Sequence, residues 1–403
     1  MKTFFPALLM AGCVLSGCTA GPAPVAQSVG VKFHSVGAGN ATPENLRDGI
    51  DVGSLDAVGL DPAKIAAGIQ QIERGDYGNI HSLLIFRQGR LVSETYFTGE
   101  DWNNHVGSIG LVRHNRDTLH DLRSVTKSVV ALAVLIAHER GHIASLDRPL
   151  FDYFPEYAAA HSDRAKATIT LRHALTMTAG FAWDESAPYS DPANDGGQLS
   201  RVADPIGFVL SRPLATPPGA AFEYNGGLTQ LLAAVVEQST GSDIETFTRT
   251  NLLLPLGIER SEWARRRDGQ PDADSGLRLR SRDIAKIGLL FADRGRWHGR
   301  QVVGADLMDE AVAPHIEVPQ KPEFEAAGYP QAYGYQTWLS SFADDGERVT
   351  LIELTGNGGQ HVYIDRARQL MVVTTAGNYG RYYPAKSSLE LYFEVVHAAL
   401  LDR

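Results

Sequence analysis

The chain has 403 residues, enough for one two-lobed domain or two smaller ones, and its 43% hydrophobic and 21% charged residues are those of an ordinary soluble protein rather than a disordered one. A formal net charge of −10, with no long run of Lys and Arg, argues against nucleic acid as a partner. Cys13 and Cys18 are the only cysteines, so the body beyond them has no disulfide, no thiol nucleophile and no thiolate metal site.

Met1-Lys2-Thr3 makes a short basic start, and Phe4 to Leu15 is an apolar stretch too short to span a bilayer. It runs into Leu15-Ser16-Gly17-Cys18, which resembles the lipobox of bacterial lipoproteins, where the Cys becomes the lipidated first residue after cleavage. Residues 1–18 are therefore expected to be a lipoprotein signal peptide. Cys18 would anchor the chain to a membrane on the periplasmic side of the cell envelope, at the outer membrane; a plain secretory signal is the alternative. Residues 19–50 mix Gly, Ala, Pro, Ser and Asn without periodicity and read as a tether and loosely ordered lead-in. Residues 51–403 form the folded body.

Within that body, Ile65, Ile69 and Ile72 recur at helical spacing and predict an amphipathic helix over 61–75. Residues 81–97 read as a β-hairpin turning at Gln88-Gly89. Val125 to Glu139 is a strongly apolar helix closed by Gly141, and further helices are expected at 171–177, 228–238, 244–254 and 282–293. Strands return at 335–339, 349–354, 360–364 and 370–375, before a closing helix over 386–400. Strands at both ends around a helical middle imply an α+β fold. One antiparallel sheet is built from both chain ends and flanked by helices, with an inserted, mostly α-helical lobe over about 125–300 and a cleft between the two.

The sharpest local feature is Ser124-Val125-Thr126-Lys127 at the mouth of the apolar helix. A helix start offers free N–H groups and the positive end of the dipole, and a Lys three residues on lies on the same face. Burial among apolar residues predicts a lowered amine pKa and hence a general base. Taken alone, Ser-x-x-Lys is better read as an N-cap serine beside a solvated lysine.

Further blocks follow in order: Gly141-His142-Ile143 with Leu146-Asp147, Phe154-Pro155-Glu156-Tyr157, and Ile169 to Gly180. Then come Pro218-Gly219 with Phe222-Glu223-Tyr224, Gly276-Leu277-Arg278 with Ser281 to Lys286, and Gly358-Gly359-Gln360. Together they resemble the β-lactamase-related serine hydrolases, from about residue 60 to 400. The resemblance implies a β-lactamase/transpeptidase-like fold and a two-step acyl-enzyme route without cofactor or metal. Ser124 would be the nucleophile, Lys127 its base and Tyr224 the hydroxyl that relays the proton to the leaving group. The backbone N–H groups of Ser124 and Gln360 would hold the oxyanion.

Departures from the family pattern bear on substrate. Tyr224-Asn225-Gly226 places Gly where the second motif of the family has Asn, so either Asn225 substitutes or that contact is missing. Asn357-Gly358-Gly359 stands where β-lactamases have Lys-Thr-Gly, which removes a charge-assisted contact to a substrate carboxylate of roughly 1.5–3 kcal/mol. The expected substrate is thus a small neutral ester, amide or peptide-like molecule, as in the 6-aminohexanoate-dimer hydrolase and esterase branch. A β-lactamase or D-Ala-D-Ala carboxypeptidase is the alternative, and a catalytically weak, lipid-anchored binding protein a further one. His138-Glu139-Arg140-Gly141-His142 fits the zinc motif H-E-x-x-H, but Gly141 should end the helix and take His142 off its face. Trp183-Asp184-Glu185 is a weak cleft candidate, and His361 reads as a structural strand residue.

Overall fold

The computed structural model of the protein describes residues 41–157, 164–319, 331–344, 347–379 and 386–401. The expected signal segment, Cys18 and most of the tether lie outside them. The end of the lead-in is not loose, however. Ile50 is in the core, and the buried Arg282 guanidinium donates to the Asp48 carboxylate at 3.2 Å, to the Glu44 carbonyl at 2.9 Å and to Glu94 at 2.6 Å. The partner that orders residues 44–50 comes from far along the chain, so local composition gives no sign of it.

Helix α1 (Pro62–Glu73) starts where expected, with the Asp61 side chain accepting from Ala63 N at 2.8 Å and Pro62 at the first position. Strands β1 (Ile80–Arg87) and β2 (Arg90–Tyr96) form the expected hairpin. Its turn residues Gln88 and Gly89 have φ of 52° and 74°, the left-handed pair a two-residue turn requires. A second hairpin, β3 (Thr98–Asn103) and β4 (Gly107–Arg113), was not legible in the sequence, and β5 (Leu119–Asp121) leads from it into α2 (Val125–Glu139).

Helices α3 (Leu171–Leu175), α4 (Asp195–Leu199), α5 (Pro205–Leu210), α6 (Gly226–Thr240) and α7 (Ile244–Thr248) make up the helical part with α2. Every residue from Val125 to Ala137 is buried, so α2 is apolar all round because it is surrounded by its neighbours. The short strand β6 (Glu262–Trp263) and β7 (Leu277–Arg280) pair beside β5, and α8 (Ser281–Ala292) follows directly. Helix α8 lies against the sheet, outside the helical lobe. A Cβ on Gly288 would stand 2.6 Å from Met371 Sδ and 2.7 Å from a Val362 methyl, so glycine permits the close approach.

After the small hairpin β8 (Arg296–Trp297) and β9 (Arg300–Gln301) the chain returns to the main sheet. It adds β10 (Ile316–Glu317), β11 (Gln331–Tyr333), β12 (Trp338–Asp344), β13 (Glu347–Gly356), β14 (Gln360–Asp365) and β15 (Leu370–Ala376). The antiparallel order is β10-β11-β12-β13-β14-β15-β1-β2, with Leu84 opposite Val373 and Phe86 opposite Met371. One sheet is thus closed from both chain ends. Its faces are both covered: Leu84, Phe86, Val362 and Val373 join the core with α2 and α8, while Leu83, Ile85, Tyr363 and Val372 pack on α1 and the C-terminal helical turns. That explains why β1 and β15 are apolar without alternation.

Of the strand expected at 335–339 only 338–339 are strand, the start of β12, and 335–337 belong to a break between β11 and β12. Gln336 has φ of 53°, and its backbone and side-chain N–H groups donate to the Leu175 and Ala174 carbonyls at 2.9 Å, at the end of α3. A buried side chain that completes a helix terminus outweighs strand propensity there.

Glu353 on β13 is buried at 8% exposure, and burial raises its carboxyl to about 7 from 4.5. Below pH 4.5 the group is protonated folded and unfolded; between 4.5 and 7 only the fold keeps the proton, so stability falls as pH rises through this window. Glu353→Gln is expected to flatten the curve and gain up to roughly 3 kcal/mol over the wild type at pH 8, read by denaturant unfolding. Parallel curves for the two proteins would refute this.

Candidate active site

The turn into α2 is held in an uncommon conformation. Arg123 has φ of 51°, and its guanidinium is engaged by Asn104, by Asp121 at 3.6 Å and by the Tyr379 ring at 4.3 Å. A left-handed non-glycine residue costs on the order of 1–2 kcal/mol, offset here by those contacts. Ser124 follows as the N-cap of α2, yet its side chain makes no cap hydrogen bond. Its Oγ instead accepts from Lys127 Nζ at 3.2 Å. The reading of Ser124 as an ordinary N-cap is therefore replaced by one in which the hydroxyl is turned toward the amine.

Lys127 is buried, and its Nζ donates to the Asp274 carbonyl at 2.8 Å and stands 3.5 Å from the Asp274 carboxylate. It lies 5.2 Å from the centre of the Tyr224 ring. The expected lowering of its pKa is reversed. Burial does push the amine down, but Tyr224, Asp274 and Glu185 outweigh it and hold the proton on. The helix is apolar as read, while the compensating groups come from three distant segments. Asp274 is itself pushed up by burial and by the neighbouring Asp272.

Tyr224 sits just before α6. Glu223 N donates to the carbonyl of Met177, itself at φ 58°, which ties the tyrosine block to the turn after α3. The Tyr224 ring stacks on Trp338 at 5.8 Å. Burial raises its hydroxyl pKa, while Lys127 and hydrogen bonding to Ser124 pull it back. Ser124, Lys127 and Tyr224, read from three places in the sequence, thus share one hydrogen-bonded centre.

Asn225 does not replace the missing asparagine of the second motif. It is buried as the N-cap of α6, and its side-chain oxygen accepts from Leu228 N at 3.2 Å. The space a side chain at Gly226 would fill is taken by carboxylates, with Asp274 Oδ2 at 3.0 Å and Glu185 Oε1 at 3.1 Å from a built Cβ. Glu185 accepts from Gly226 N at 2.6 Å and from Trp183 Nε1 at 2.7 Å. Of the weak triplet only Glu185 reaches the centre: Trp183 is in the core and Asp184 caps Ser186 N at 2.7 Å. Asp274 was missed, having no motif of its own.

The end of β13 abuts the nucleophile turn, since a side chain on Gly356 would strike the Leu122 carbonyl and Arg123. Gln360 pairs with Gly356, and its buried side chain bridges Ala376 N (3.0 Å), Ala376 O (2.7 Å) and Asn357 O (3.2 Å). That side chain braces the 357–359 turn. Gly359 takes φ of 99° there, and its carbonyl accepts from Thr374 at 3.0 Å.

The H-E-x-x-H residues are not gathered. Helix α2 ends at Glu139, Gly141 turns with φ of 79°, His138 Nδ1 bonds the Ile143 carbonyl at 2.7 Å, and His142 meets Phe247 edge-on. His361 stacks on Tyr363, and burial lowers it to about 4. Cavities of about 420 and 430 Å³ lie elsewhere, lined by neither Ser124, Lys127 nor Tyr224.

A putative beta-lactamase from Bacteroides dorei has the same fold, with a TM-score of 0.66 at 20% identity over 85% of this chain and 98% of that one. The architecture is thus β-lactamase/transpeptidase-like. The family model described as Beta-lactamase matches residues 79–386, and the chain belongs to that family. Esterase EstB of Burkholderia gladioli is 34% identical over 149 residues, 35% of this chain and 38% of that protein. The 6-aminohexanoate-dimer hydrolase of Paenarthrobacter ureafaciens is 24% identical over 269 residues, 64% and 66% respectively. The chain spans only about two-fifths to two-thirds of these relatives' lengths.

Proposed function

We propose that the protein is a serine hydrolase that cleaves a small neutral ester or amide through an acyl-enzyme on Ser124. The observation that carries this reading is the uncapped Ser124 hydroxyl at 3.2 Å from Lys127 Nζ, with Tyr224 bonded to the same centre. In the first step Ser124 Oγ attacks the carbonyl carbon, and its proton passes to the Lys127–Tyr224 pair. That pair returns a proton to the leaving oxygen or nitrogen, and water then releases the acyl group by the same route. The Ser124 N–H and an N–H of the 356–360 strand end, with Gln360 the donor named from sequence, would hold the oxyanion.

Asn357-Gly358-Gly359 leaves no lysine where β-lactamases hold a substrate carboxylate, which supports the ester and amide reading over a β-lactam or peptide C-terminus. A fluorophosphonate probe is expected to label Ser124, and a panel of short-chain esters, small amides and nitrocefin to show turnover of the neutral substrates. An unlabelled Ser124 would sink the proposal; fast nitrocefin hydrolysis would shift it to a β-lactamase.

We also propose export and anchoring through Cys18 to the periplasmic side of the envelope, at the outer membrane, on the strength of the lipobox-like segment. Cys18→Ser is expected to abolish fatty-acid labelling and release the protein into the soluble fraction. Equal membrane retention of both forms would refute the anchor.

A further inference from the structure

A second cluster of chemistry-bearing side chains lies outside the proposed catalytic centre and is used by none of its steps. His81 on β1, Asp101 on β3, His114 just after β4 and His120 on β5 are all buried, and one donor atom from each lies within 4.8 Å of the others. His81 Nδ1 is 2.8 Å from His120 Nε2, and His114 Nε2 is 3.2 Å from Asp101 Oδ2. Asp101 Oδ1 stands 3.8 Å from His81 Nδ1 and 3.6 Å from His120 Nε2.

The outward ring nitrogens decide what the inward ones can be. His81 Nε2 faces the Glu100 carbonyl at 3.1 Å, His114 Nδ1 the Phe97 carbonyl at 3.1 Å and His120 Nδ1 the Asp121 carbonyl at 3.0 Å. A carbonyl only accepts, so each outward nitrogen carries its ring's proton and each inward nitrogen presents a lone pair. Three imidazole lone pairs and a carboxylate then converge with no donor among them. Protons could satisfy the set only by adding two: one shared by His81 and His120, the other by His114 and Asp101. Those rings are close, with His81 stacked on His114 at 3.9 Å and His120 5.8 Å from it, and a single carboxylate faces them. Two buried cations sharing one anion are costly. One dication bonds all four groups at once.

We propose that His81 Nδ1, His114 Nε2, His120 Nε2 and the Asp101 carboxylate form a tetrahedral zinc site. Zinc–nitrogen bonds near 2.0–2.1 Å place tetrahedral ligands roughly 3.3 Å apart; the separations of 2.8 Å between His81 and His120, 3.2 Å to Asp101 Oδ2 and 3.6 and 3.8 Å to Asp101 Oδ1 lie around that value, and the whole set lies within 4.8 Å. Nitrogen and carboxylate donors in fourfold array suit zinc above calcium or magnesium. The three carbonyls that hold the outward N–H groups form the outer shell such histidine ligands require.

The site is closed and therefore structural. All four residues are buried, and backbone at Gly99 and Gly377 packs against the outward edge of the His81 ring, where a Cβ would come within 2.8 Å. It joins β1 of the main sheet to β3, the end of β4 and β5. His120 lies four residues before Ser124, and Asp121, next to it, pairs with Arg278 at 2.7 Å and accepts from Asn104 N at 2.7 Å. The metal would brace the turn that presents Ser124. No spacing motif announces it, because its four residues come from separate strands and loops; the expectation of a metal-free chain rested on the family resemblance and the dismissal of H-E-x-x-H, and the cysteine count excluded only a thiolate site.

The test uses the full chain and needs no activity assay. Protein isolated without added chelator is expected to carry stoichiometric zinc by mass spectrometry. Stripping with dipicolinate should lower Tm by roughly 5 °C or more, and zinc should restore it. Cobalt exchange should give the visible bands of a tetrahedral N/O site. Asp101→Asn and His114→Gln should lose the metal while His138→Gln keeps it. Should those variants fail to fold, the strip-and-restore measurement on the wild-type chain decides. Trace zinc both as isolated and after zinc dialysis, with Tm indifferent to chelator, would overturn the proposal in favour of a protonated histidine cluster.

Discussion

Ser124→Ala is expected to lower kcat/KM for a short-chain ester by about 10⁴-fold or more while leaving Tm close to that of the wild type. The activity loss follows from chemistry. Removing the hydroxyl removes the atom to be acylated, and Lys127, the nearest nitrogen, is held as an ammonium by Tyr224, Asp274 and Glu185 and cannot act in its stead. The unchanged stability follows from geometry, because the Ser124 side chain caps nothing and its loss strips α2 of no N–H partner. A large drop in Tm would mean that Ser124 is a structural cap after all. Retained turnover would place the nucleophile elsewhere.

Lys127→Met is expected to cost about 10³-fold in kcat/KM and to move the rising limb of the pH profile to higher pH. At rest both Lys127 and Tyr224 hold their protons, so the form able to accept the Ser124 proton is the one with a proton fewer, and kcat/KM should rise with pH toward the macroscopic pKa of the pair. Tyr224 is pushed up by burial and pulled down by the Lys127 charge. Deleting that charge leaves burial and Glu185 opposed only by the Ser124 hydrogen bond, and the tyrosine must titrate at higher pH. Methionine keeps most of the volume of the stem, which separates the loss of charge from a packing defect. A profile that keeps its shape, or a limb that moves down, would show that Tyr224 is not the group coupled to the amine.

The sequence carried its signal wherever local pattern and tertiary role agree. Helix α2 was legible to its first and last residue because it is apolar throughout, and β1 and β2 because Gln88-Gly89 supplies the turn that their register demands. It failed where a distant partner decides. Asn225 looked available for substrate, yet α6 begins at the next residue and claims its side chain. Residues 335–339 have strand composition, yet Gln336 is drawn to the end of α3.

By itself the sequence determined that the chain is α+β with strands from both ends, that Ser124 opens an apolar helix, and that Lys127 shares its face. Those are properties of residue type and spacing, which a linear pattern records. Only the tertiary structure decided the protonation of Lys127, the carboxylates that fill the space beside Gly226, and the convergence of His81, Asp101, His114 and His120. Each depends on charged or titratable groups brought together from separate segments of the chain. Electrostatic energies at such distances are set by burial and neighbours, and neither is encoded in a residue's own stretch of sequence.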